Sequence, residues 1–159
     1  MRRIAIWTML ALVIAVGASQ SSVRVAGSAE TQVTAAGAGV FPDGSSFNGI
    51  PLRGSTFGFG LLVHPDGSAE GDFAIVLAGT SLLGQAQNIT LEGKVGAGVA
   101  NVDGSVTFSG TAALDMGDGT LPAAAVPFSV TVTDTGLQLT IGTSILPTQT
   151  VGYEDIYIG

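Results

Sequence analysis

The sequence predicts an all-β fold, an antiparallel up-and-down β-barrel of about eight strands, on three observations. The tripeptide Asp-Gly-Ser/Thr occurs four times, as Asp43-Gly44-Ser45, Asp66-Gly67-Ser68, Asp103-Gly104-Ser105 and Asp118-Gly119-Thr120. Most copies border runs in which apolar and polar residues alternate. No stretch sustains a helical period. Glycine takes positive φ without a Cβ clash, and aspartate bonds the local backbone, so Asp-Gly between alternating runs signals a hairpin. Two copies carry proline first, Pro42 and Pro65. Proline presets φ for the first central turn position.

The chain opens with a segment expected to be lost on export. Met1-Arg2-Arg3 is basic, Ile4 to Val16 is apolar apart from Thr8, and Val16-Gly17-Ala18 offers small residues for cleavage. That is the pattern of a secretory signal peptide over residues 1–18. Its apolar run is shorter than the roughly 20 residues of a membrane helix, so the mature form is expected to keep no integral membrane segment. Residues 19–31 are small and polar and read as a flexible leader. Residues 32–159 read as one β-barrel domain, long enough to bury a core without disulfides, which a chain lacking cysteine cannot form. Secretion, or another extracytoplasmic location, follows as the expectation.

The strands follow in order. The first is expected over Gln32 to Val40. From Thr56 to His64, Phe57, Phe59, Leu61 and Val63 share one face. After the turn at Pro65-Asp66-Gly67, Phe73, Ile75 and Leu77 continue an apolar face. Ser81 to Ala86 is the one stretch read as a helical turn. Gln85 to Val95 aligns Gln85 and Gln87 with Ile89 and Leu91, opposite a wet face of Asn88, Thr90, Glu92 and Lys94. Gly96 to Gly98 reads as a bend. Ser105 to Met116 points Val106, Phe108, Ala112, Leu114 and Met116 inward, and Ser105, Thr107, Ser109 and Thr111 outward. Val126 to Thr133 points Val126, Phe128, Val130 and Val132 inward, with Pro127 marking an edge or a bulge. Leu137 to Ile141 is short. The last strand, Val151 to Ile158, is interrupted by Asp155. Strands with one dry face suit a closed antiparallel sheet or, as the alternative, a two-sheet β-sandwich. Nearly consecutive hairpins favour the barrel, which also removes exposed edges.

Several segments together resemble a known group. They are Phe57-Gly58-Phe59, the Pro-Asp-Gly-Ser-x-x-Gly-x-Phe run from Pro65 to Phe73, Val-Thr-Phe-Ser-Gly from Val106 to Gly110, Phe-Ser-Val-Thr-Val-Thr-Asp from Phe128 to Asp134, and the closing Asp-x-Tyr-Ile from Asp155 to Ile158. In this order they resemble small secreted bacterial β-barrel proteins of unknown function, similar in outline to calycin-type barrels. The resemblance implies a topology and brings no catalytic residues.

Charge narrows the partners. The chain carries 5 Lys and Arg against 12 Asp and Glu, a net charge of −7. Loss of Arg2 and Arg3 leaves Arg24, Arg53 and Lys94 against the same acids. Nucleic acids and anionic membranes reward basic residues, so neither is an expected partner. With 11% charged residues, most of the surface falls to Ser, Thr, Gly, Gln and Asn.

Candidate chemistry is sparse. His64 is the only histidine, it abuts a turn, and no Gly-x-Ser-x-Gly elbow supports a triad. Glu70 and Asp72 share one face of a strand and could form a carboxylate pair for hydrolysis or a hard cation. The opposite face is fixed as core by Phe73 and Ile75, so a solvated pair explains them as well. Asp115 to Gly119 offers oxygens without the EF-hand spacing, and Glu154 and Asp155 point to opposite faces. One histidine and no cysteine cannot build a zinc or copper site, and no cofactor motif is present, so neither metal nor cofactor is expected. Phe57, Phe59, Phe73, Phe108 and Phe128 could line an apolar ligand cavity, with Gln85 and Gln87 as polar groups at its mouth. The same phenylalanines could fill the barrel, whose interior at eight strands only just holds its own side chains. The sequence therefore reads as an exported, non-enzymatic domain with a structural or binding role at the cell surface or in the medium. A carrier of a small apolar molecule is the alternative, and a carboxylate-pair hydrolase the remote one.

Overall fold

The computed structural model describes residues 29–152 and 156–159. The signal peptide, most of the leader, and Glu154 and Asp155 lie outside these residues. The strands are β1 (Thr31–Val40), β2 (Ser46–Phe47), β3 (Ile50–Val63), β4 (Ser68–Thr80), β5 (Ala86–Ala100), β6 (Val106–Asp115), β7 (Ala123–Val132), β8 (Gly136–Ile141), β9 (Ser144–Ile145), β10 (Gln149–Val151) and β11 (Ile156–Ile158). Every pairing is antiparallel. Eight of them, β1, β3, β4, β5, β6, β7, β8 and β10, pair successively in chain order, and β10 returns to β1 to complete a ring. A ring of this kind suits a barrel, or a sandwich sharing the same pairings. β2 and β9 are short hairpin arms on β3 and β8.

The predicted last strand is two pieces. β10 pairs with β1 at Gly39 and Val40, and β11 pairs with it from Val33 to Ala35. The register of the two pieces differs by one residue, which is why Val151 to Ile158 shows no continuous alternation.

Three hairpins at alternate ends share one construction. In His64-Pro65-Asp66-Gly67-Ser68, the His64 N–H donates to the Ser68 carbonyl at 2.9 Å and the Gly67 N–H donates to the His64 carbonyl at 3.1 Å. Asn101 to Ser105 repeats this at 2.8 and 3.1 Å, and Ser81 to Gln85 at 2.8 and 2.9 Å. The fourth residue is glycine each time, with φ of +86°, +84° and +77° at Gly67, Gly104 and Gly84. An L side chain is disfavoured there, so glycine sets the loop length. The helical turn expected over Ser81 to Ala86 is thus corrected to a hairpin loop, and the described residues contain no helix.

Bulges hide parts of two strands from the alternation. The β3–β4 register shifts between Leu52 and Gly54, so Leu52 and Ser55 both point inward. β3 therefore starts well before Thr56. The bend read at Gly96 to Gly98 lies inside β5, where the register shifts between Val95 and Ala97. Pro127 sits at the end of the β8 pairing, where its carbonyl accepts from the Gly142 N–H at 2.8 Å. Its missing N–H faces where β8 has ended. A bulge with Ala125 at φ +56° lies two residues before it. Both features match a strand proline.

The inward faces form one core. Phe57, Phe59, Leu61 and Val63 from β3, Phe73, Ile75 and Leu77 from β4, Ile89 and Leu91 from β5, Val106 and Phe108 from β6, Phe128 to Val132 from β7 and Leu137 to Ile141 from β8 alternate into it. Met116 and Val126 are only partly buried and pack against its margin. Ser105, expected outward, is buried, with its hydroxyl and N–H committed to the turn.

The seam of the ring holds a buried polar contact. Gln149 on β10 is fully buried, and the Ser55 hydroxyl on β3 donates to its Oε1. β1 runs between those strands, and its Gly39 leaves the space the side chain crosses: a β-carbon there would lie 2.0 Å from the Gln149 Oε1. β8 and β10 share only two residue pairs, so this contact links the strands flanking β1 where the ladder is shortest.

Candidate functional site

The interior is where the predicted ligand-contacting residues fall. Phe59 and Phe108 have ring centroids 5.2 Å apart, Phe73 and Phe108 5.7 Å, and Phe73 and Phe128 4.9 Å in a stacked pair. Phe57 stacks on Phe59 at 6.1 Å. These are ordinary aromatic packing distances, so the five rings serve as one another's surroundings. Gln87 is buried and its Nε2 donates to the Met116 carbonyl at 2.9 Å, tying the start of β5 to the loop after β6. Gln85 does not join them. It is exposed at the end of the Ser81–Gln85 loop, where its N–H donates to the Ser81 hydroxyl at 3.2 Å.

The other candidates lie outside the ring. His64 Nδ1 is 3.1 Å from Glu30 Oε1, a partly exposed pair at the base of the β3–β4 hairpin. Glu70 and Asp72 both point outward and are exposed. Asp72 pairs with Lys94 across β4 and β5, so one carboxylate of the expected pair is engaged by a surface cation. A shallow groove crosses the outer face over Gly60 and Gly71, bordered by Gln32, Thr34, Leu62 and Glu70. Asp115 Oδ1 accepts from the Gly117 N–H at 2.8 Å. Among the described residues, no three of His, Cys, Asp and Glu gather as metal ligands.

The Asp-Gly-Ser/Thr copies split three to one. Asp66 Oδ1 accepts from the Ser68 N–H at 2.9 Å and from its hydroxyl at 2.6 Å. Asp103 does the same with Ser105 at 2.9 and 2.7 Å, and Asp118 with Thr120 at 2.9 and 2.6 Å. In the remaining copy both Ser45 donors go to the Pro42 carbonyl, the hydroxyl at 2.6 Å and the N–H at 3.2 Å.

Bonds donated to a carboxylate favour its charged form. The hydroxyl and then the N–H of Ser68, Ser105 and Thr120 accordingly hold Asp66, Asp103 and Asp118 below the ordinary aspartate value of 3.8. A lowered pKa in the folded state means the turns contribute fully above pH 3.8 and lose their contribution as the pH falls through the lowered values. Carboxyl-carbon NMR titration is expected to show all three below 3.8. A value at or above it would mean that the turn is open in solution.

One end of the ring carries features the alternation did not reveal. The β4–β5, β6–β7 and β8–β10 connections lie at the same end, because successive strands reverse direction. Leu82 (92% exposed), Leu83 (87%) and Leu121 (94%) project from the first two, and Ile145 is exposed in the third. Apolar side chains at loop tips gain nothing for the fold and are available to a partner. The signal was Leu82-Leu83 followed by Gly84, an apolar pair placed in a hairpin tip.

Comparison with protein families, with characterised proteins and with solved structures gives no match.

Proposed function

We propose that the protein is exported, is not an enzyme, and serves as a structural or binding domain at the cell surface or in the surrounding medium. The observation that carries this reading is the convergence of Phe57, Phe59, Phe73, Phe108 and Phe128 into one packed cluster. With the interior so occupied, partners meet the Ser- and Thr-bearing outer faces and the loop tips at Leu82, Leu83 and Leu121. The acidic balance argues against nucleic acid as that partner. Kinship with secreted bacterial barrels of calycin type belongs to the same proposal, as does removal of residues 1–18.

Native mass spectrometry of protein purified from its own host, with N-terminal sequencing, tests the reading. The expected result is a chain beginning after residue 18, alone or bound to protein, without a small apolar molecule. A stoichiometric apolar ligand would favour the carrier alternative, and an intact Met1 on the mature protein would contradict export with cleavage.

A further inference from the structure

We propose that Asp43-Gly44 is a site of spontaneous covalent modification, where the aspartate converts to isoaspartate, while the other three Asp-Gly pairs are held against the same reaction by the fold. The residue after the pair is serine in three copies and threonine in the fourth, and Asp43 and Asp66 share a preceding proline as well. Asp43 and Asp66 are therefore matched from that proline to the following serine, and a difference between these two comes from structure.

The reaction needs the amide nitrogen of the glycine to reach the side-chain carboxyl carbon of the aspartate. Glycine favours it, because no Cβ shields that nitrogen. A bond forms between the Gly44 nitrogen and the Asp43 Cγ, and one carboxyl oxygen leaves as water with the amide proton and the carboxyl proton. The resulting five-membered imide takes up one water. Opening at the main-chain carbonyl breaks the original peptide bond and leaves the chain running through the side-chain carboxyl. Water is the only co-reactant, released and then consumed.

The fold opposes this step in two ways. At Asp66, Asp103 and Asp118, two donors from the residue two positions on hold one carboxylate oxygen. They restrain the carboxyl through that oxygen and stabilise the ionised form, which is a poor electrophile. At Gly67 and Gly104 the attacking nitrogen is itself engaged, donating to the His64 and Asn101 carbonyls. Neither restraint is present at Asp43 among the described residues. Ser45 spends both donors on the Pro42 carbonyl, and the exposed Gly44 N–H makes no backbone bond. The pairs thus rank Asp43 first, Asp118 with one restraint second, and Asp66 and Asp103 with two restraints last.

The test is to hold the full chain for weeks at mildly acidic pH and physiological temperature, then map isoaspartate by electron-transfer fragmentation of its peptides. The expected result is accumulation at Asp43 about tenfold faster than at Asp66 or Asp103, the rate factor that one retained charged hydrogen bond supplies. In denaturant all four pairs are expected to convert at similar rates. Ser68→Ala, which removes a hydroxyl at an exposed turn, is expected to speed conversion at Asp66 alone. Equal rates in the folded protein, a lead for any of the other three, or no conversion at Asp43 would overturn the proposal. A lead for Asp43 that persisted in denaturant would overturn it as well, because sequence and not fold would then be responsible.

Discussion

Replacing Phe73 by alanine is expected to lower the stability of the fold by about 3–5 kcal/mol, the cost of removing a buried aromatic and leaving its cavity. Phe73 is 1% exposed and sits between Phe59, Phe108 and Phe128, with centroids at 6.2, 5.7 and 4.9 Å. Those neighbours come from β3, β6 and β7, so the hole opens where several strands converge and no single side chain can refill it. Thr107→Ala provides the contrast. Thr107 is half-buried on the outer face of β6, with its hydroxyl 3.1 Å from that of Thr131. Its loss is expected to cost less than about 1 kcal/mol. Denaturant melts of the two variants read the face assignment directly. Equal costs, or the reverse order, would mean that the register of the sheet is wrong.

Gly110→Ala is expected to cost about 3 kcal/mol, at the upper end of what overpacking a core does. A β-carbon at Gly110 would fall 1.9 Å from the main-chain oxygen of Lys94 and 3.1 Å from the Cα of Val95. The obstacle is the backbone of the adjacent strand, at the point where the β5 register shifts between Val95 and Ala97. A side chain could rotate away, whereas this strand can move only by breaking its pairs with β6. Denaturant melts check the value. A loss below about 1 kcal/mol, typical of a surface change, would show that the two strands do not approach so closely.

The parts of the fold that could be read in advance are those governed by local chemistry. Phe57 to Val63 and Phe73 to Leu77 alternate with period two, and period two survives in any strand with one buried face. Asp66-Gly67 and Asp103-Gly104 name their hairpins, because few residues suit positive φ. The Ser81–Gln85 hairpin has the same glycine but Leu82-Leu83 where turn residues belong, so its apolar content masks it. Asn48-Gly49, with φ of +49° and +81°, forms the two-residue loop between β2 and β3, and Asn-Gly is the pair that locates such a hairpin. The early part of β3 could not be read, since the bulge at Leu52 and Gly54 reverses which residues face inward. The contact of Ser55 with Gln149 joins residues 94 positions apart, and nothing local to either one announces it. Among the candidate residues, the five phenylalanines come together as their faces require, and Gln87 is buried on the face of β5 that carries Ile89 and Leu91. Gln85 is not, because its strand starts one residue later, at Ala86.

Titration of the native protein with an apolar fluorophore tests most directly whether the phenylalanines fill the ring or line a cavity. A filled ring leaves little volume, so the probe is expected to give no saturable signal. Saturable binding at micromolar concentration, about −8 kcal/mol, that Phe108→Ala or Phe128→Ala alters more than it alters stability would contradict a packed interior and move the function to a carrier of small apolar molecules.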